Sequence, residues 1–526
     1  MNLQRVFQQR HLSIKLNRNF RTQKKIKATV ANPLKKLASQ TAVYGLSTIL
    51  PRFLNYLLVP FFTYKFTNPS DFGINTYIYS FISFLNVIFT YGMETAFFNF
   101  VNKNENKHVV YSTALISLLS TTTLFLLLGL FSSSFIAVEL NFANNVNFIQ
   151  WMLLIIATDA IMAIPFARLR AEQKAMKFAG IKIANILVNI GVNVFFIHFC
   201  KNAHENDLAN QTTSTLGNLY NPQIGIGYAF LANLIANVFS LLLLSKEFLG
   251  FTYTFDKALW LQMLKYALPL LVVGLAGMIN EVFDRIILEK LLPADIGMHE
   301  LGVYGACYKI SILMSIFIQA FKFAAEPFFF NHAKSEDSRK LNALVMKYFV
   351  IFCSFLFLAT MMNMSWIKYF VSENYWGGLF VVPILLLANL CLGIYFNLSV
   401  WYKLTGQTKF GAYLTMLGAA ITLVINFMFI PKYSYAASAW ATLISYASMM
   451  VVSYFLSQKY YKTNYNLRSF VFFFGFALFF YFLSLAWHGN VNVYLELFLN
   501  NMLLVIYCGL FVKFELPNLK KVNAIS

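Results

Sequence analysis

Apolar segments of about 20 residues, the length a helix needs to cross a hydrocarbon core, recur from Thr41 to Phe514 with short polar joints between them. In lipid, every backbone N–H and C=O must be satisfied within the protein, so a chain that repeats such runs folds as a bundle of membrane-spanning helices. Fourteen runs are read, near 42–65, 72–100, 108–137, 147–170, 176–199, 224–246, 262–291, 300–331, 340–362, 376–398, 409–430, 435–457, 467–487 and 492–514. Composition agrees, with 59% of residues hydrophobic and only 12% charged, far from the usage of a soluble domain.

The net charge of +20 would suggest nucleic acid in a soluble protein, so its placement decides the matter. Of the 41 Lys and Arg residues, 32 lie in the N-terminal segment, in every second joint and after the last span. Five (Lys65, Lys201, Lys290, Lys368 and Lys432) lie in the alternate joints, and four (Arg52, Arg285, Lys309 and Lys322) lie within spans. Such asymmetry predicts an even number of spans with both termini cytoplasmic. It is not the compact basic domain with interleaved aromatics that nucleic acid requires, and no nucleic-acid partner is expected.

The segment "MNLQRVFQQRHLSIKLNRNFRTQKKIKATVANPLKK" holds no acidic residue. It reads either as an Arg-rich organellar address or, the preferred reading, as a basic tail that holds the N-terminus inside and lies on anionic headgroups. No cleavable signal peptide is evident, because the first apolar run is of full spanning length. Cys200, Cys307, Cys353, Cys391 and Cys508 occur singly with no CxxC, which implies neither a disulfide framework nor a metal site. There is no phosphate-binding glycine loop and no outward loop longer than about two dozen residues, so no enzyme signature is read.

The chain repeats itself. "FGINTYIYSFISFLNVIFTYGMETAFFNF" opens the second span and "LGVYGACYKISILMSIFIQAFKFAAEPFFF" the eighth, with Gly73 opposite Gly302. "NVFFIH" from Asn193 aligns with "NFMFIP" from Asn426, and a small-residue span follows each. Six spans recur in one orientation, which predicts two lobes related by a pseudo-two-fold axis along the membrane normal, with two further helices outside the repeat. The fold class is therefore all-α and polytopic. The expected units are a basic tail (1–40), an N-terminal six-helix lobe (41–250), a C-terminal six-helix lobe (251–460) and an extra helix pair with a short tail (461–526). The joint from Cys200 to Gln223, the longest on the outward side, is expected to be polar and mobile.

A transporter of two repeats places its substrate between them near the midplane, and charges within spans mark that region because each costs about 3 kcal/mol to insert. Arg52 follows Pro51, which loosens the helix. Arg285 and Lys309 should share a depth, and with Lys322 further along the eighth span the four cations would line a positive path. The opposing reading pairs them locally: Glu281 precedes Arg285 by four residues and Lys322 precedes Glu326 by four, the spacing of helical ion pairs. Asp159 has no basic residue within a turn and is a candidate proton carrier, against the alternative of a protonated side chain hydrogen-bonded to a neighbouring helix. Glu94 and Glu326 sit near the inner ends of the second and eighth spans, as gate residues or exposed ends. No role is assigned to His198.

Several stretches carry a resemblance: "LASQTAVYGLSTILPRFLNYLLVPFFT" with "NPSDFG"; "IPFARLRAEQKAMKFAGIKIANILVNI"; "DRIIL" followed by "LGVYGACYKI" and "AFKFAAEPFFF"; and "NFMFIPKYSYAASAWATLISY". In these the chain, from about Leu37 to about Leu456, resembles the polysaccharide-biosynthesis (Wzx-type) oligosaccharide flippases of the multidrug/oligosaccharidyl-lipid/polysaccharide exporter superfamily. The resemblance implies a V of two six-helix lobes in a bacterial inner membrane. The implied function is to move undecaprenyl-pyrophosphate-linked oligosaccharide from the cytoplasmic to the periplasmic leaflet by alternating access. It implies no cofactor, H+ or Na+ as candidate coupling ions, membrane lipids and a glycan polymerase complex as partners, and Arg52, Arg285 and Lys309 as cavity cations. Asp284 and Glu281 are expected to keep Arg285 oriented when the site is empty, and both are also candidate coupling or gating residues. One departure is "IPKYSYAASAW", where Ser434 and Tyr435 replace a glycine common in the family. The alternatives are a lipid II flippase, a cation-coupled multidrug or toxin extruder, and a membrane enzyme that joins the same glycans.

Overall fold

The computed structural model describes residues 50–249, 253–331 and 338–517, apart from several side chains between 323 and 331. The basic N-terminal tail and the start of the first span lie outside the described residues. Among the described residues thirteen helices are long and apolar enough to cross a membrane, and with the first span, described from residue 50 and ending in Leu58–Lys65, they match the fourteen expected. In order from the second they are Pro69–Thr90, Lys107–Phe131, Val146–Ala171, Ala175–Asn210, Gly225–Leu243, Lys257–Glu281, Gly297–Lys322, Ser338–Met362, Val381–Leu404, Lys409–Tyr433, Tyr435–Tyr460, Leu467–Ser484 and Val493–Phe514. The second continues past a break as Met93–Val101 and the seventh as Phe283–Leu291. The end of the bundle bearing the Arg- and Lys-rich joints is called the basic face, and the other end the far face.

Spans one to six and seven to twelve form the two lobes, and the last two spans pack on the ninth, outside the repeat. Between lipid-immersed helices there is little hydrophobic drive to associate, so close contact depends on small residues. The second and eighth spans cross through Gly73 and Gly302, and the contact is reciprocal. A Cβ on Gly73 would overlap Met298 O and stand 3.2 Å from Gly302 N; one on Gly302 would overlap Pro69 O and stand 3.0 Å from Gly73 N. Pro69 and Met298 are equivalent when the Gly73–Gly302 register is carried along the chain, so the two halves meet as a two-fold demands.

This crossing closes the far face, and polar bonds between the lobes complete the closure. The Tyr375 hydroxyl donates to Phe66 O (2.7 Å), Asn374 Nδ2 to Thr67 O (2.7 Å) and Asn141 Nδ2 to Glu289 Oε1 (3.0 Å). At the basic face the lobes also touch between spans three and seven, where Trp260 Nε1 donates to Ser117 Oγ (2.7 Å). Span two breaks near that level at Tyr91 and Gly92, both with positive φ, and a Cβ at Gly92 would stand 2.9 Å from Ala267 O of the seventh span.

The long outward joint differs from expectation. The fifth helix runs on through a π-turn at Phe195–Cys200 into Lys201–Asn210, and Asp207 accepts from Ser214 N (2.8 Å) and Ser214 Oγ (2.7 Å). A carboxylate receiving a backbone amide and a hydroxyl from the returning strand of chain fastens the joint upon itself; polarity alone gives no measure of mobility.

Overpacking the glycine crossing should open the far face. Gly302→Val is expected to cost this closed arrangement about 1–3 kcal/mol. The check is labelling of a Thr76→Cys side chain by a membrane-impermeant reagent added from the far face, which should rise at least several-fold over the glycine parent.

Candidate functional site

A cavity of about 380 Å³ lies between the lobes beneath the glycine crossing, lined by spans one, two, five, six, seven and eight. Its volume falls in the range of small-ligand sites, about 300–1,000 Å³. Arg52, Arg285 and Lys309 all line it, with Glu281 the one carboxylate among its lining residues. It runs from the far-face half towards Arg52 and Asn55, both of which are exposed.

Arg285 owes its position to the break in the seventh span. At Val282 (φ −135°, ψ −14°) the helix ends, and Phe283–Leu291 begins a new one. The Arg285 amide therefore bonds to Val282 O (3.2 Å) and Asp284 Oδ1 (2.9 Å) rather than to the carbonyl four residues back. That carbonyl, Glu281 O, would be left orphaned in the bundle, and Arg285 Nη1 donates to it at 2.8 Å. The guanidinium also lies 4.1 Å from the centre of the Tyr308 ring, a cation–π contact of roughly 0.5–2 kcal/mol. Asp284 sits in the first turn of the new helix, where the helix dipole favours a carboxylate, and accepts from the Tyr304 hydroxyl at 2.7 Å.

The local ion pair expected between Glu281 and Arg285 is thus replaced: the backbone of Glu281, not its side chain, holds the arginine. Among the described residues no carboxylate oxygen lies within 4.0 Å of the charged group of Arg52, Arg285 or Lys309; Asp284 meets Arg285 through the Arg285 backbone amide. Arg52 donates to Gln319 Oε1 across the lobe boundary, and Lys309 faces Arg285 without a hydrogen-bonded partner among the described residues.

Lys322 is placed elsewhere. Its ammonium lies 4.7 Å from the Phe396 ring centre in a small separate pocket between the eighth and tenth spans, so three of the four expected cations share the cavity. Glu326, its expected helical partner, has a side chain outside the described residues. Glu94 pairs with Arg170 inside the N-terminal lobe and does not bridge the lobes. Asp159 also stands apart from the cavity: it accepts from Asn237 Nδ2 (2.9 Å) and feels the charge of Lys182 on the fifth span. The pairing of Asp159 with a fifth-span lysine was hidden in the sequence, where Lys182 counts among joint charges. Tyr79, which lines the cavity, receives Asn233 Nδ2 at 2.9 Å and connects the wall to this polar core. Asn75, Asn189 and Asn193 line the N-terminal wall; their only sequence signal is an amide inside an apolar run. Among the described residues no group of three or more His, Cys, Asp or Glu is placed to hold a metal ion.

Two repeated helical lobes with a charged cavity between them define a membrane transporter. The chain belongs to the polysaccharide biosynthesis protein family, whose model matches residues 37–333. No curated protein matches it. Among solved structures it is similar to the lipid II flippase MurJ in an inward closed conformation, with a TM-score of 0.63 at 14% identity over 90% of this chain and 99% of that one. It is also similar to the MATE multidrug transporter DinF-BH, with a TM-score of 0.56 at 16% identity over 81% and 95% of the two chains. An outward-facing multidrug resistance MATE family transporter of the MOP superfamily gives 0.55 at 13% identity over 81% and 95%. At these identities the likeness is one of fold.

Removing the Tyr304 hydroxyl leaves the buried Asp284 carboxylate one donor short. Tyr304→Phe is expected to cost about 1–3 kcal/mol of stability, read as a lower melting temperature of the purified protein in detergent, whereas Tyr494→Phe, at an exposed side chain, should leave it unchanged.

Proposed function

We propose that the protein is a flippase for polyprenyl-pyrophosphate-linked oligosaccharide, carrying it from the cytoplasmic to the periplasmic leaflet of a bacterial inner membrane by alternating access. The observation that supports this reading is the cavity itself, in which Arg52, Arg285 and Lys309 converge with one lining carboxylate and, among the described residues, no direct ion pair to their charged groups. Cations left without carboxylate partners in a membrane protein are costly, and a pyrophosphate supplies the missing charge. A guanidinium grips two phosphate oxygens at once, and an ammonium adds a point charge beside it. The headgroup can then cross within the protein while its polyprenyl tail stays in lipid. The family description, polysaccharide biosynthesis, agrees with a glycan substrate.

The cation excess weighs against an extruder of organic cations, which needs acids in its cavity. A lipid II flippase shares the pyrophosphate chemistry and differs in the sugar. In cells depleted of the protein, complete polyprenyl-pyrophosphate-linked repeat units should accumulate while surface glycan falls. Accumulation of lipid II instead would assign the peptidoglycan substrate, and raised drug sensitivity with neither change would favour the extruder.

Two substitutions test the site. Arg285→Ala should lower transport at least tenfold with normal membrane insertion, and Arg285→Lys should retain part of it, because charge survives while the bidentate grip is lost. For coupling, we propose H+ carriage by Asp159; Asp159→Asn should abolish the pH dependence of transport in proteoliposomes, and an unchanged pH profile removes the residue from that role.

A further inference from the structure

The two lobes present opposite chemistry at equivalent positions of the cavity. With Gly73 set on Gly302, Arg285 of the C-terminal lobe corresponds to Tyr56, Lys309 to Ser80, Tyr308 to Tyr79 and Asp284 to Asn55. All but Asp284 line the one cavity. The cations therefore stand in one half and neutral hydroxyls and amides at the equivalent places in the other, and among the lining residues the N-terminal wall carries no charge except Arg52 at its basic-face end.

A second divergence concerns the amides. Asn193 and Asn426 occupy equivalent places in "NVFFIH" and "NFMFIP", and each donates through Nδ2 to the carbonyl four residues earlier, Asn189 O at 2.9 Å and Thr422 O at 2.8 Å. Asn426 Oδ1 also accepts from Ser438 at 2.9 Å. Asn193 Oδ1 accepts nothing among the described residues, and neither does Asn75 Oδ1, although both residues are over nine-tenths buried, 1% and 9% exposed. A buried acceptor without a donor costs about 1–3 kcal/mol. In the half facing the cations, the built-in partner has been left out.

We propose that this N-terminal wall is a glycan subsite: Asn75 and Asn193 accept hydrogen bonds from hydroxyls of the sugar attached to the pyrophosphate, while the C-terminal wall holds the phosphates. Sugar hydroxyls are uncharged and donate as well as accept, which suits a wall of neutral amides with Ser80 and Ser83 hydroxyls beside it. The apolar faces of a sugar ring suit the Tyr56 and Tyr79 rings. The first sugar is bonded directly to the pyrophosphate, so its subsite must share a cavity with the cations, as this one does. The inference rests on the flippase reading above and adds to it the part of the site that recognises the sugar.

The test uses the full chain in nanodiscs and two probes, undecaprenyl pyrophosphate and the same lipid bearing one N-acetylhexosamine, with binding followed by native mass spectrometry. The parent protein should bind the sugar-bearing lipid at least tenfold tighter. Asn75→Ala and Asn193→Ala, singly and together, should erase most of that preference while binding bare undecaprenyl pyrophosphate as before, which also certifies their fold. Arg285→Ala should weaken both lipids alike. Equal loss for both lipids in the asparagine variants, or an intact preference, overturns the subsite. A parent protein that binds bare lipid without preferring the sugar overturns it too and leaves the flippase reading standing, whereas binding of neither lipid overturns that reading itself.

Discussion

Gly73 and Gly302 meet backbone to backbone, and the geometry of the cavity follows from that meeting. Because neither residue has a Cβ, the second and eighth spans approach more closely than any other residue pair would permit, in a solvent where closeness is the main source of helix affinity. The approach seals the far face and brings the Arg285 and Lys309 wall against the Tyr56 and Ser80 wall. It is also reversible in principle: a crossing of small residues, flanked by a few interlobe hydrogen bonds such as Tyr375 to Phe66, can be exchanged for another without unpacking either lobe. Rigid halves with a separable seam are what alternating access demands.

The second dependency is the break at Val282. An unbroken helix would satisfy Glu281 O with the Arg285 amide and leave the guanidinium to find a carboxylate on its own helical face, such as Glu281 four residues earlier. The break reverses these assignments. The guanidinium takes over the carbonyl, the amide turns to Asp284, and Asp284 is held in turn by Tyr304. Arg285 thereby becomes part of the helix's own hydrogen bonding, with the ring of Tyr308 beneath it and the Asp284 charge nearby but no direct ion pair to its guanidinium among the described residues. A cation fixed in this way is ready for an anion without first releasing one.

How far the sequence disclosed this depends on which constraint wrote each feature. The spans were legible because lipid imposes length and polarity on every one of them, and the repeat was legible because Gly73 and Gly302 keep their neighbours in register. Arg52, Arg285 and Lys309 stood out as charges in apolar runs. What was not legible needed the third dimension. No proline or glycine adjoins Val282, so nothing announced the break; Lys322 sits on a helix apolar nearly all round, so periodicity gave no direction for it; Lys182 lies close enough to a helix end to pass for a joint charge. The asparagines of the N-terminal wall were the hardest to read, since an amide in a span is as often a strut between helices as a surface for a ligand. Asn426, bonded to Ser438, is such a strut.

That contrast between Asn193 and Asn426 bears on how a symmetric fold handles an asymmetric cargo. The proposed cargo, a lipid-linked glycan, has a charged centre, a neutral polar side and an apolar tail, whereas an exact two-fold would offer each of these the same pair of walls. Divergence between the repeats removes the degeneracy at small cost, because the helices and the glycine crossing need not change when Tyr56 stands for Arg285 or Ser80 for Lys309. Stability resides in the shared scaffold and recognition in the positions where the halves differ. A differing polar position on the cavity wall therefore points to the cargo, and a shared one to the fold.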